Sequence, residues 1–219
     1  VLILVLSWLY FRNKFVLLLI ACASSLGVYS FFRFSIATLS SNQQLSPIPI
    51  AHASLMERLL TVPYELLSYL RLIFFPMSLH ISQVDLITNA SDYRFSISLV
   101  IVFVSFIILG VILLKSKSDK KLNLFFLLWF FTSIALVLNI IPLDFTIAER
   151  WLYLPLVGFF GMVALLISEV LSSNKSFQKI IIFCILFLFF IFFSLRSMIR
   201  TANWQNPLTL FSHDAVLSN

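Results

Sequence analysis

The sequence predicts an all-α protein, a polytopic bundle of transmembrane helices, and three observations carry that prediction. Of the 219 residues, 61% are hydrophobic and only 11% are charged, with a mean hydropathy of +1.05; an average soluble domain carries about 25% charged residues. The apolar residues gather into charge-free runs of roughly twenty, the length that crosses a hydrocarbon core about 30 Å thick. All seven lysines fall in three short polar links between those runs.

Five runs have spanning length, at about 15–32, 95–114, 122–141, 151–168 and 180–195. Residues 1–11 (VLILVLSWLYF) are apolar but too short to cross. They carry no signal-peptide pattern and read as the end of a spanning helix that begins upstream. The chain is therefore expected to be part of a longer protein. The links Arg12-Asn13-Lys14, Lys115–Lys121 and Ser172–Lys179 hold the lysines, so the positive-inside rule assigns them to the cytoplasm and the remaining loops to the outside.

Residues 55–76 are apolar at helical spacing but contain Glu57, Arg58, Glu65, Arg71 and Pro63. The loops on both sides of this segment are external by the lysine count. It is therefore expected to lie in the interface or re-enter, with its acids and arginines on a polar face. A full span, with everything after it inverted, is the alternative. Residues 1–200 form the expected membrane domain. In 201–219, Asn206, Pro207 and the face Leu208, Phe211 and Ala215 fit the opening helix of a further, external domain.

The outer charges are seven arginines against seven acids, so the net charge of +6 is cytoplasmic. Arginine suits bidentate recognition of phosphate or carboxylate; pairing and snorkelling at the interface is the plainer account. Phosphate loops, GxSxG and HExxH are absent. Cys22 and Cys184 lie in apolar runs, and no metal or nucleic-acid pattern is present. Of the three histidines, His80 stands out, following Pro76 at a presumed membrane surface with Asp85 nearby. The densest stretch is 141–158, IPLDFTIAERWLYLPLVG, where Glu149 and Arg150 enter an apolar helix beside Trp151 and Tyr153. The aromatics read as interfacial anchors. Charged groups at that depth mark a candidate site, Arg150 for an anionic lipid head group and Glu149 to fix a guanidinium.

Ala148 to Pro155 (AERWLYLP), followed by Val157-Gly158-Phe159, resembles the AERxLYLPSxGF signature of the transmembrane and tetratricopeptide-repeat-containing O-mannosyltransferases and their bacterial relatives. Tyr69-Leu70-Arg71-Leu72 with Phe75-Pro76, Leu79 and Asp85 is similar to a second segment of that family. Residues 200–217 (RTANWQNPLTLFSHDAVL) resemble its passage into the first repeat. Leu156 and Leu86 depart from the pattern. The resemblance implies a GT-C type glycosyltransferase that transfers a mannose-like sugar from a polyprenyl-phosphate carrier to an extracytoplasmic acceptor, a protein hydroxyl or a glycan. It places the catalytic acids upstream of Val1 and leaves Glu149, Arg150, Arg71 and His80 as residues facing the donor phosphate. A bacterial cytoplasmic membrane is expected in preference to the endoplasmic reticulum, with the C-terminus outside. A non-catalytic scaffold that presents repeats and half of a transporter or flippase are the competing readings.

Overall fold

The computed structural model describes residues 15–37, 49–77, 83–143, 145–173 and 176–206. Among these the regular structure is helical, with one isolated antiparallel bridge between Gln83 and Ile147. The helices are α1 (Phe15–Ala37), the single turn α2 (Pro49–His52), α3 (Leu55–Phe74), α4 (Tyr93–Lys115), α5 (Lys120–Ala135), a 3₁₀ turn (Glu149–Leu152) that runs into α6 (Tyr153–Ser172), and α7 (Ser176–Asn203). The half-span expected at 1–11 and the helix expected from Pro207 lie outside the described residues.

Three helices are long and apolar enough to cross a membrane: Tyr93–Lys115, Glu149–Ser172 and Ser176–Ala202. They coincide with three of the five expected runs. The run at 15–32 is helical, with its described apolar stretch at Val16–Ser25. The run at 122–141 is shorter than expected, because α5 stops at Ala135. Hydropathy continues past that point, but the backbone does not. Val137 N–H turns back to Ile134 O at 3.0 Å, and Asn139 adopts a left-handed φ of 49°, a conformation Asn tolerates better than other side chains.

Helices α5 and α6 form the tightest pair and run antiparallel, Gly158 lying on the backbone of Phe130 and Gly161 against the Phe126 ring. Small residues at such crossings let membrane helices approach closely. At the lysine-rich end, the α4–α5 turn is tied to α6: Ser116 Oγ donates to Glu169 Oε2 at 2.6 Å and Lys117 N–H to the same oxygen at 3.0 Å. Asp119 caps α5 through the N–H groups of Lys121 and Leu122, which satisfies donors that the first turn leaves open.

Helix α3 starts at a capping box, Ser54 Oγ accepting from Glu57 N–H while Glu57 Oε2 accepts from Ser54 N–H. Those bonds from Ser54 hold the Glu57 carboxyl below its usual range. Replacing Ser54 with Ala is expected to lower the unfolding midpoint in detergent by roughly 2–4 °C, the effect of losing one helix cap in a chain of this size. The sequence expects the acids and arginines of α3 on its polar face, and the structure turns that helix's polar stripe inward: Thr61, Glu65, Ser68 and Tyr69 are buried, whereas Leu55, Met56, Leu59 and Phe74 are exposed. Helical spacing is the reason, since positions 61, 65, 68 and 69 share one side, and that side meets the polar connector between α5 and α6.

Both the entry and the return of α3 attach to that connector. Arg58 Nη1 donates to Ile140 O at 2.8 Å, and after the helix Gln83 N–H donates to Ile147 O at 2.9 Å. The last turn packs against α6, with the rings of Phe74 and Phe159 5.6 Å apart.

Candidate functional site

The connector is built around Asn139, which is 1% exposed. Its amide nitrogen donates to Glu65 Oε1 at 2.9 Å and to Thr146 O at 2.8 Å, and its Oδ1 accepts from Leu143 N–H at 3.1 Å. One side chain thus folds the loop and ties it to α3. The bridge to Gln83 buries Ile147 and Ala148, and the chain then turns into Glu149–Leu152. Pro155 sits in the first turn of α6, where a missing N–H costs nothing. Trp129 Nε1 donates to Leu154 O at 2.9 Å and secures that turn from α5.

Of the four residues that the resemblance grouped, the three that are described make different contacts. Glu149 reaches α7 and forms an ion pair with Arg200 at 3.3 Å. Arg150 is exposed, its guanidinium over the rings of Phe145 and Trp151 at 5.7 and 5.9 Å. Arg71 lies on the last turn of α3 and lines a different cavity, of about 430 Å³, with Leu67, Phe74, Ile101 and Phe106. His80 lies outside the described residues, as does Asp144.

Two arginines not singled out in the sequence line one cavity, and one of them pairs with Glu149. Arg196 and Arg200 are one turn apart on α7. Arg196 Nε donates to Pro76 O at 2.8 Å and its Nη2 to Met77 O at 2.7 Å, so the exit of α3 positions it. Arg200, whose side chain is 11% exposed, is held by Glu149 and lies over the Trp204 ring. Together they line a cavity of about 410 Å³ with Leu72, Pro76, Phe193 and Ser197. Phe193 and Ser197 also belong to a second, larger cavity of about 1020 Å³ between α6 and α7. That one is walled by Phe159, Val163, Ile167, Ile185 and Phe189. An apolar groove and a cavity lined by two arginines therefore share one stretch of α7.

The available signal for these two was their i, i+4 spacing at the end of an apolar run. Taken singly, each looked like an interface charge. Glu65 was read as one charge of an amphipathic helix, yet it is fully buried. Burial pushes its carboxyl up from an ordinary value of 4.5 to about 8, with the Asn139 hydrogen bond opposing in part. Among the described residues no group of three or more His, Cys, Asp or Glu side chains has the arrangement of a metal site.

Fold and site together define an all-helical protein with three helices of membrane-crossing length and apolarity, compatible with an integral membrane protein. No family model, curated protein or solved structure matches the chain.

Proposed function

We propose that this chain is the membrane-embedded part of a glycosyltransferase that takes a mannose-like sugar from a polyprenyl-phosphate carrier and passes it to an extracytoplasmic acceptor, a protein hydroxyl in the leading form. The observation that carries the reading is that the apolar α6–α7 groove and the Arg196–Arg200 cavity share the α7 residues Phe193 and Ser197. A carrier of this kind has an apolar chain joined to a phosphate. The groove offers the chain an apolar wall and the cavity offers the phosphate two guanidinium groups, the side chain best matched to phosphate geometry. The motif resemblance supplies the reaction class.

In this reading five helices cross a bacterial cytoplasmic membrane and α3 re-enters from outside. The lysine-rich end is cytoplasmic and the connector end, with the C-terminus, extracytoplasmic. The attachment of α3 to one connector before and after the helix supports that arrangement. Arg196 and Arg200 bind the phosphate, Glu149 orients Arg200, and Arg150, its chain neighbour, is assigned to stabilise charge on the departing phosphate. The acids that activate the acceptor are those the resemblance places upstream.

The test is binding of undecaprenyl phosphate to the detergent-purified protein by native mass spectrometry. Replacing Arg196 and Arg200 together with Ala is expected to weaken binding roughly tenfold to a hundredfold, the range for lost charge-assisted hydrogen bonds. An unchanged affinity in a double variant that melts like the parent would overturn the assignment. Sugar transfer to a hydroxyl-bearing peptide in membranes of the full-length protein then decides between enzyme and scaffold. Lipid binding with no transfer from any polyprenyl-phosphate sugar would favour the scaffold. Transfer that falls in Arg150→Ala would support its role on the departing phosphate.

A further inference from the structure

Glu65 is the one fully buried acid among the described residues, and nothing in the proposed reaction uses it. It joins α3 to the connector through a single hydrogen bond, Asn139 Nδ2 to Oε1 at 2.9 Å, while its other oxygen, Oε2, is buried with no partner. On the connector Thr146 Oγ1 is also buried without a hydrogen bond, and the buried Tyr69 hydroxyl meets the backbone of Ala148. Tyr69 is one turn further along the same face of α3. Thr146 belongs to the connector, and its carbonyl shares the Asn139 amide with Glu65.

We infer that Glu65 is a proton-operated catch that docks α3 against the α5–α6 connector when it carries a proton and loosens that joint when it loses it. The argument is one of solvation. A carboxylate at 0% exposure with one amide donor lacks the two or three donors that make a buried charge tolerable. As an acid it is neutral, and the single amide donor at Oε1 is then enough to satisfy it. The groups facing it offer no cation. On α3 these are Thr61 and the Tyr69 hydroxyl, and on the connector the Asn139 amide and Thr146. The described ion pairs leave Glu65 out: Arg94 pairs with Asp85 and Asp92, and Arg200 with Glu149. Arg58 donates to Ile140 O and Arg150 lies over aromatic rings.

The catch sits between the two pieces that set the arginine cavity. The exit of α3 gives Arg196 its carbonyl partners at Pro76 and Met77, and the connector gives Arg200 its partner Glu149. Loosening the α3–connector joint therefore changes the frame of both arginines, whatever the cavity binds.

The sign follows from a folded-state value above the ordinary one. The contribution of Glu65 to stability is fully present below pH 4.5 and is lost as pH rises through about 8. Infrared difference spectra of the full chain in detergent should show a protonated-carboxyl C=O band at pH 6 that fades with a midpoint near 8 and is missing from Glu65→Gln. Hydrogen exchange at Leu143, Thr146 and Ile147 gives the mechanical readout. At pH 6 the parent and Glu65→Gln should exchange alike, and one unit above the midpoint the parent should exchange about tenfold faster. Comparing the two proteins at one pH cancels the intrinsic pH dependence of exchange. A parent with no protonated-carboxyl band at pH 6, or equal exchange of the two proteins at both pH values, would overturn the catch. The infrared measurement needs no variant, so it stands if Glu65→Gln fails to fold. Neither readout involves lipid or sugar, so the catch and the glycosyltransferase reading fail separately.

Discussion

Replacing Gly158 with Ala is expected to lower the unfolding midpoint in detergent by several degrees and to weaken the α5–α6 contact more than any other single-methyl addition in the chain. A Cβ at 158 would lie 2.6 Å from Phe130 N, 2.7 Å from Phe126 O and 2.9 Å from Phe130 Cα. All three are backbone atoms of α5, so no side chain can turn aside and the helices themselves must separate. Overpacking of that kind typically costs about 1–3 kcal/mol, and about 2–4 °C per kcal/mol in a chain of this size. Two internal controls sharpen the test. At Gly161 the obstruction is the Phe126 ring, which can rotate, so Gly161→Ala should cost less. At Gly110 nothing lies within 4 Å, and Gly110→Ala should melt with the parent or slightly above it, as helix propensity favours Ala. Equal midpoints for the 158 and 110 variants would show that the two helices are not in backbone contact.

Asn139→Leu is expected to be as damaging, by a different route. The substitution removes the two bonds donated to Glu65 and Thr146 O and the one accepted from Leu143 N–H. It leaves a buried carboxyl with no partner at all. Unsatisfied buried groups cost about 1–3 kcal/mol each, and a branched side chain at φ 49° adds about 1–2 kcal/mol of backbone strain. Asn139→Gly separates the two contributions, because glycine accepts the left-handed backbone and loses only the side-chain bonds. The expected order of midpoints is parent, then Gly, then Leu. Thermal melts followed by tryptophan fluorescence read it directly. A Gly variant no better than Leu would mean that the hydrogen bonds alone matter and the backbone conformation is without consequence.

The largest features were already determined by the order of residues. Long charge-free runs cannot be solvated and must be helical if they enter a membrane, and the helices Tyr93–Lys115, Glu149–Ser172 and Ser176–Ala202 fall where those runs fall. The stop of α5 at Ala135 was not legible in the same way, because hydropathy reads LVLNII as apolar and is blind to a left-handed Asn whose side chain takes over backbone partners. The inward face of α3 was half legible: spacing put Thr61, Glu65, Ser68 and Tyr69 on one side, but which side is buried depends on what packs there, and the polar connector that packs there is about seventy residues away in sequence.

The site divides along the same line. Glu149 and Arg150 were conspicuous as candidates because two adjacent charges at the start of an apolar helix are costly. Arg196 and Arg200 were not, because a pair of arginines at a helix end has an adequate explanation in the interface alone. What distinguishes them is the exit of α3 bonding one and Glu149 pairing the other, contacts across about 120 and 50 residues of chain. Local composition decides which segments leave water, since that is a property of each segment by itself. Which polar groups meet once they have left it depends on how the segments pack, and only the tertiary structure decides that.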